Sequence, residues 1–220
     1  MRFAELHGLL SLAFVTADDA VRHIIKGAVD VRKVTLDLRR DVKVEADRNI
    51  EKFIVKNLLE QSDFPILSEE SGSIRGKLND DGYRWIVDPI DGSLNFSRRI
   101  PLCCISIGLW KGAEPVLGVV YDFNRNEVFT GIVGNGAWLN GVAITVSNTA
   151  ERSKAVLCTG FPVSTVFSTE ALLGFVENIR EFKKIRLFGS AALSLAYVAC
   201  GRVDYYREND IKIWDVAAGL

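Results

Sequence analysis

The run from Cys103 to Val146 constrains the fold most. Four apolar stretches, Cys103 to Trp110, Glu114 to Tyr121, Glu127 to Val133 and Val142 to Val146, alternate with Lys111-Gly112, Asn124 to Asn126, Asn135-Gly136 and Asn140-Gly141. Such short stretches are of strand length, and Asn-Gly pairs favour the left-handed turns that join antiparallel neighbours. The chain is thereby committed to an antiparallel meander whose faces other segments must cover. The turn from Asp122 to Asn126 faintly resembles a calcium loop, but Glu127 stands in place of the required glycine and Val133 in place of the final acid, so it reads as a hairpin turn.

Candidate covering helices lie before the meander. Phe3, Leu6, Leu10, Ala13, Phe14, Ala17, Val21, Ile24, Ile25 and Ala28 recur at helical spacing. That spacing runs straight through Leu9 to Ala17, where an apolar run and Val15-Thr16-Ala17 imitate a secretory cleavage site, so an amphipathic first helix is expected. After the polar stretch Asp41 to Asp47, a second helix is expected with Ile50, Phe53, Ile54, Leu58 and Leu59 on one face, then a short strand at Phe64 to Leu67. Gly72 to Lys77 misses a P-loop by one residue and is followed by Leu78 where Ser or Thr is needed. No run is long enough to span a membrane.

Beyond a polar boundary at Ser147 to Ser153, helix and strand alternate: strands at Ala155 to Thr159, Lys184 to Leu187 and Val203 to Tyr206, helices at Thr169 to Phe182 and Ala191 to Ala199. The expected organisation is an α+β part over residues 1–148 and an α/β part over 149–220. With 27 Lys and Arg against 28 Asp and Glu, the formal charge of -1 carries no basic excess, which makes nucleic acid an unlikely main partner. Cys103, Cys104, Cys158 and Cys200 lack CxxC spacing, which fits reduced thiols in a cytoplasmic protein rather than zinc ligands or a disulfide framework.

Chemistry concentrates in Trp85 to Phe96, WIVDPIDGSLNF. An apolar strand runs into Asp88 and Asp91; Pro89 bends the connection, Gly92 lets the backbone turn, and Ser93 is a candidate N-cap for a helix from about Leu94. A second strand runs into Ser68-Glu69-Glu70-Ser71-Gly72, and Ile211 to Trp214 delivers Asp215 to a small-residue helix. Singly, these read as a solvated turn and a helix cap. Together, Glu69, Asp88, Asp91 and Asp215 would repel one another without cations, and their oxygens suit magnesium or manganese rather than zinc. Only His7 and His23 exist, both in the first helical pattern, and no cysteine has arginine six positions on, so histidine and cysteine phosphoryl transfer are disfavoured. A metal-assisted hydrolase remains.

On Ser68-Glu69-Glu70-Ser71, Trp85 to Phe96 and Trp214-Asp215-Val-Ala-Ala-Gly219, the chain resembles the inositol monophosphatase family of magnesium-dependent, lithium-sensitive phosphatases. The resemblance implies a layered αβαβα sandwich of the inositol monophosphatase / fructose-1,6-bisphosphatase type, usually a homodimer. It implies a first metal held by Glu69, Asp88 and the Ile90 carbonyl and a second by Asp88, Asp91 and Asp215, with two or three Mg2+ per site and Mn2+ as a substitute. A water on the first metal, oriented by Glu69 and Ser93, would attack phosphorus while the second metal stabilises the leaving alkoxide. Asp47 would hydrogen-bond Ser93, and the Gly92 and Ser93 amides would bind phosphate. Gly189, Ser190, Ala191 and Glu208 would meet the remainder of a small phosphorylated polyol or sugar.

Departures from the family pattern are Ser93 for the commoner threonine, Val44 for a threonine, expected to loosen the Asp47 network, and Lys212 where several relatives have histidine. Family members run on for some tens of residues after the Trp-Asp motif, so the part over 149–220 is expected to lack its final elements, and an intact tail is expected to matter for the second metal. Inositol monophosphate or a similar sugar phosphate is the expected substrate. Fructose bisphosphate, histidinol phosphate and 3'-phosphoadenosine phosphate are alternatives, and a non-catalytic binding or regulatory module is the rival of another class.

Overall fold

The structure is a computed structural model that describes residues 3–22, 33–38, 41–74, 82–161 and 167–220. His23, Ile24, Ile25 and Ala28 of the first helical pattern, and Gly76 and Lys77 of the near P-loop, lie outside the described residues.

The meander forms the centre of an eight-stranded sheet. In chain order its strands are β3 (Ile66–Ser68), β4 (Gly72–Ile74), β5 (Tyr83–Asp91), β6 (Cys104–Lys111), β7 (Glu114–Asp122), β8 (Glu127–Ile132), β9 (Gly136–Leu139) and β10 (Val142–Ala143). Their spatial order is β10-β9-β8-β7-β6-β5-β3-β4. All neighbours are antiparallel except β3 and β5, which run parallel. Strands β6 and β7 are buried along most of their length because both faces are covered. Strand β9 is hidden in the sequence: Gly-Ala-Trp-Leu is only four residues between two Asn-Gly-type turns. The last expected strand shrinks to Val142–Ala143.

Helices α1 (Phe3–Ala20) and α2 (Glu45–Gln61) cover one face, joined by the hairpin β1 (Val34–Leu38) and β2 (Asp41–Val44). Helix α1 passes without a break through Val15-Thr16-Ala17 and buries Ala13, Thr16, Ala17 and Ala20. Ile50, Ile54 and Leu58 of α2 join Trp85, Val87, Ile105 and Ile107 in the principal core. Trp85 is fully buried yet polar-satisfied, its Nε1 donating to Ser62 Oγ at 2.9 Å.

The opposite face carries α5 (Ala191–Ala199) and α6 (Ile213–Val216). Behind α5 lies a three-stranded parallel sheet, order β12-β11-β13, from β11 (Val156–Cys158), β12 (Lys184–Arg186) and β13 (Tyr205–Tyr206). Helix α4 (Thr169–Ile179) lies beyond it, with Phe175 and Leu157 lining one cavity. The fold is thus mixed α+β, helices and sheets alternating in layers. Among the described residues, no helix is long and apolar enough to cross a membrane.

Candidate active site

Two parallel strand ends build the site. Register pairs Ser68 with Val87, and the Glu69 N–H donates to Val87 O at 3.2 Å, so the turn after β3 delivers Glu69 beside Asp88. Strand β5 continues past the apolar run Trp85 to Val87 and through Pro89 to Asp91, with a register shift against β6 between Asp88 and Asp91. The irregularity is the physical consequence of Pro89, which has no N–H for the ladder. Ser93 is not the N-cap of α3 (Ser93–Ser97); Gly92 is, at φ 93°. A Cβ at Gly92 would come within 2.9 Å of Leu102 O and 3.1 Å of Gly189 O, so both conformation and space require glycine.

Asp215 arrives from the far end of the chain on α6. Its Oδ2 accepts from the Lys212 N–H at 3.1 Å, so the capping role and a place in the site coexist. Two glycines seat α6. Gly108 and Gly118 face each other across β6 and β7, and a Cβ on either would meet the Ala217–Ala218 backbone, at 2.8 Å and 2.2 Å respectively. Trp110 Nε1 donates to Ala217 O at 2.9 Å.

Asp88, Asp91 and Asp215 offer carboxylate oxygens within 4.8 Å of one another. Asp88 is 1% exposed, and its Oδ1 is buried with no hydrogen-bond partner. Burial and then the charge of Glu69 push the Asp88 carboxyl well above its ordinary range. Burial likewise lifts Glu69 to about 7, against a lowering by Lys43, and lifts Asp215 to about 7, reinforced by Asp91. An all-oxygen set with an orphaned buried carboxylate oxygen and mutual repulsion fits a hard divalent cation such as Mg2+.

Asp47 and Ser93 meet as expected. Ser93 Oγ lies 3.2 Å from Asp47 Oδ1 and 3.0 Å from the Ile90 carbonyl, and the Val44 N–H donates to Asp47 Oδ2 at 2.7 Å. The Val44 side chain is fully buried, and its backbone N–H supplies a contact to Asp47. Burial lifts Asp47 to about 7, while the Val44 N–H opposes the rise.

Gly189, Ser190, Ala191 and Glu208 share an open cleft of about 540 Å³ with Asp91 and Asp215. The start of α5 is turned onto Asp91: Ser190 Oγ donates at 2.5 Å, the Ala191 N–H at 3.3 Å and the Ala192 N–H at 2.7 Å. Burial raises the Glu208 carboxyl, and Tyr206 donates to it at 3.0 Å.

Two residues beside the site, Lys43 and Glu51, are not among those expected from the sequence. Lys43 contacts Glu70 and lies 3.6 Å from Glu69, a pairing that bridges β2 and the acidic turn and leaves no local pattern. Glu51, 3% exposed, accepts from the backbone of that turn. Its signal is present, since an acid four residues after Asp47 lies on the same buried helical face.

The motifs and the layered fold agree with what the chain is similar to. A sequence profile of the Inositol monophosphatase family matches residues 6–220, and the chain belongs to that family. The protein called Nus factor SuhB in Pasteurella multocida (strain Pm70) is 36% identical over 218 residues, 97% of this chain and 81% of that protein. Inositol monophosphatase 1 of Solanum lycopersicum is 37% identical over 227 residues, 99% of this chain and 82% of that one. The crystal structure of extragenic suppressor protein suhB from Bartonella henselae superposes with a TM-score of 0.86 at 36% identity, covering 96% of this chain and 82% of that one.

Proposed function

We propose that the chain is a magnesium-dependent phosphomonoesterase acting on inositol monophosphate or a similar small sugar phosphate. The observation that carries this reading is the group of buried Asp88 and Asp91 with half-buried Asp215, part of which opens onto a cleft shared with Glu208 and the start of α5. Glu69, Asp88 and the Ile90 carbonyl would hold one ion, and Asp88, Asp91 and Asp215 another. Mg2+, when bound, supplies charge neutralisation and Lewis acidity at the phosphoryl group.

The protein groups do the orienting. With Ser93 Oγ directed at Asp47 and the Ile90 carbonyl, its lone pairs are left to accept from an attacking water, whose other proton Glu69 takes. The Gly92 and Ser93 N–H groups would donate to phosphate oxygens. Glu208 would accept from sugar hydroxyls, and Ser190 and Ala191, which donate to Asp91 and line the same cleft, would lie beside them. The division near residue 148 would let the first part supply most ligands and the second close over the substrate. Four cysteines with no disulfide between them support a cytoplasmic setting, and the family resemblance supports a homodimer, which sedimentation at several concentrations tests.

A second reading follows from the relatives named Nus factor SuhB: a binding or regulatory role on the same fold. Phosphate release from inositol 1-phosphate, fructose 1,6-bisphosphate, histidinol phosphate and 3'-phosphoadenosine 5'-phosphate separates the two. Release that requires Mg2+ and falls with Li+ supports the phosphatase; no turnover of any of them supports the regulatory role.

A further inference from the structure

The acidic turn Glu69-Glu70-Ser71 is tied down by a carboxylate that the proposed chemistry leaves unused. Glu51 stands on α2 with 3% exposure, among Ile50, Ile54 and Ala46 on the face turned to the core. Its Oε1 accepts from the Glu70 N–H at 3.2 Å and the Ser71 N–H at 3.0 Å, and its Oε2 accepts from Ser71 Oγ at 2.5 Å. Three donors converging on one buried carboxylate make charge-assisted bonds, roughly twice as strong as neutral ones. The turn is gripped from both ends: the Glu69 N–H is fixed to Val87 O at 3.2 Å, and the next two N–H groups are fixed to Glu51. Lys43 takes the Glu70 side chain. Glu69 is therefore presented to Asp88 by a turn with little freedom to move.

We propose that Glu51 is a positioning residue for Glu69, setting the carboxylate that completes the Glu69–Asp88 cation position without touching cation or substrate. This rests on the metal site proposed above. The α2 helix carries both supports, Asp47 toward Ser93 and Glu51 toward the turn, one helical turn apart, so a single rigid element sets both sides of the site.

Calorimetric titration of Mg2+ into the full chain tests this, with folding followed by circular dichroism. Glu51→Gln keeps acceptor geometry at Oε1 and can pair with Ser71 through its amide; it should bind Mg2+ within about threefold of wild type, because the role is positional. Glu51→Ala should weaken one class of Mg2+ binding at least tenfold and leave the other unchanged. Ser71→Ala, at an exposed residue that leaves folding intact, should weaken the same class two- to fivefold. Wild-type affinity in folded Glu51→Ala, or in Ser71→Ala should the former not fold, overturns the positioning role. A wild-type chain that takes up no Mg2+ overturns instead the metal site on which it rests.

Discussion

Asp88→Asn should push stability and metal binding in opposite directions. Asp88 is 1% exposed, its Oδ1 has no partner, and the charges of Glu69, Asp91 and Asp215 all act against its ionisation. Without a cation, Asp88 either holds a buried charge that nothing repays or takes up a proton against the prevailing pH, and both cost stability. Replacing it with a neutral amide of the same shape removes that charge and adds a donor facing Glu69 or Asp215. Relief of one unsatisfied buried polar group is worth about 1–3 kcal/mol. For a chain of this length about 1 kcal/mol moves the melting midpoint by roughly 2–4 °C, so the variant should melt about 2–12 °C higher than wild type in EDTA at pH 8. Added Mg2+ should raise the wild-type midpoint and leave the variant unmoved, since the carboxylate charge on which both proposed cation positions would draw is gone. Differential scanning calorimetry in EDTA and in Mg2+ reads both effects. A variant less stable than wild type in EDTA, or one still stabilised by Mg2+, would refute the reasoning.

Acidity adds a further test. Asp47, Glu69 and Asp215 sit at about 7 in the folded chain, while carboxylates in an unfolded chain titrate near 4. Between these values the folded state binds protons that the unfolded state has released, so stability falls as pH rises through that window. In EDTA the melting midpoint should drop from pH 5 to pH 8, and Mg2+ should flatten the drop; a rise in EDTA contradicts the burial argument. Gly118→Ala should lift α6, because a Cβ 2.2 Å from Ala218 O must retreat beyond the 3.0 Å that real contacts respect, a shift of about 1 Å. Misplacement of that size costs about 10²-fold in turnover, whereas Gly131→Ala, whose nearest neighbour is 3.8 Å away, should leave kcat unchanged; equal losses in both variants would remove Asp215 seating as the cause.

Much of this arrangement is legible in the amino-acid sequence, and the reasons are local. Asn-Gly turns and strand-length apolar runs are short-range signals, so the meander stands out, and the apolar pattern at Ala191 to Ala199 coincides with α5 as observed. Glu69, Asp88 and Asp91 are visible because each lies where an apolar strand runs out. What stays hidden depends on tertiary approach. Ser93 looks like a cap, yet Gly92 takes that place because Leu102 O and Gly189 O crowd it from distant segments. The ties of Ser190, Ala191 and Ala192 to Asp91 span about a hundred residues, and nothing in the local pattern distinguishes them from substrate donors. Lys43 reaches Glu69 and Glu70 only after β2 is laid beside the acidic turn.

The central claim is that Glu69, Asp88, Asp91 and Asp215 form one divalent-cation site. A crystal soaked in Mn2+ and measured at the manganese absorption edge tests it without reference to any substrate. Anomalous peaks should lie between Asp88, Asp91 and Asp215 and beside Glu69, with Asp88 common to both. No peak among these carboxylates at millimolar Mn2+, or peaks only elsewhere on the molecule, would contradict it.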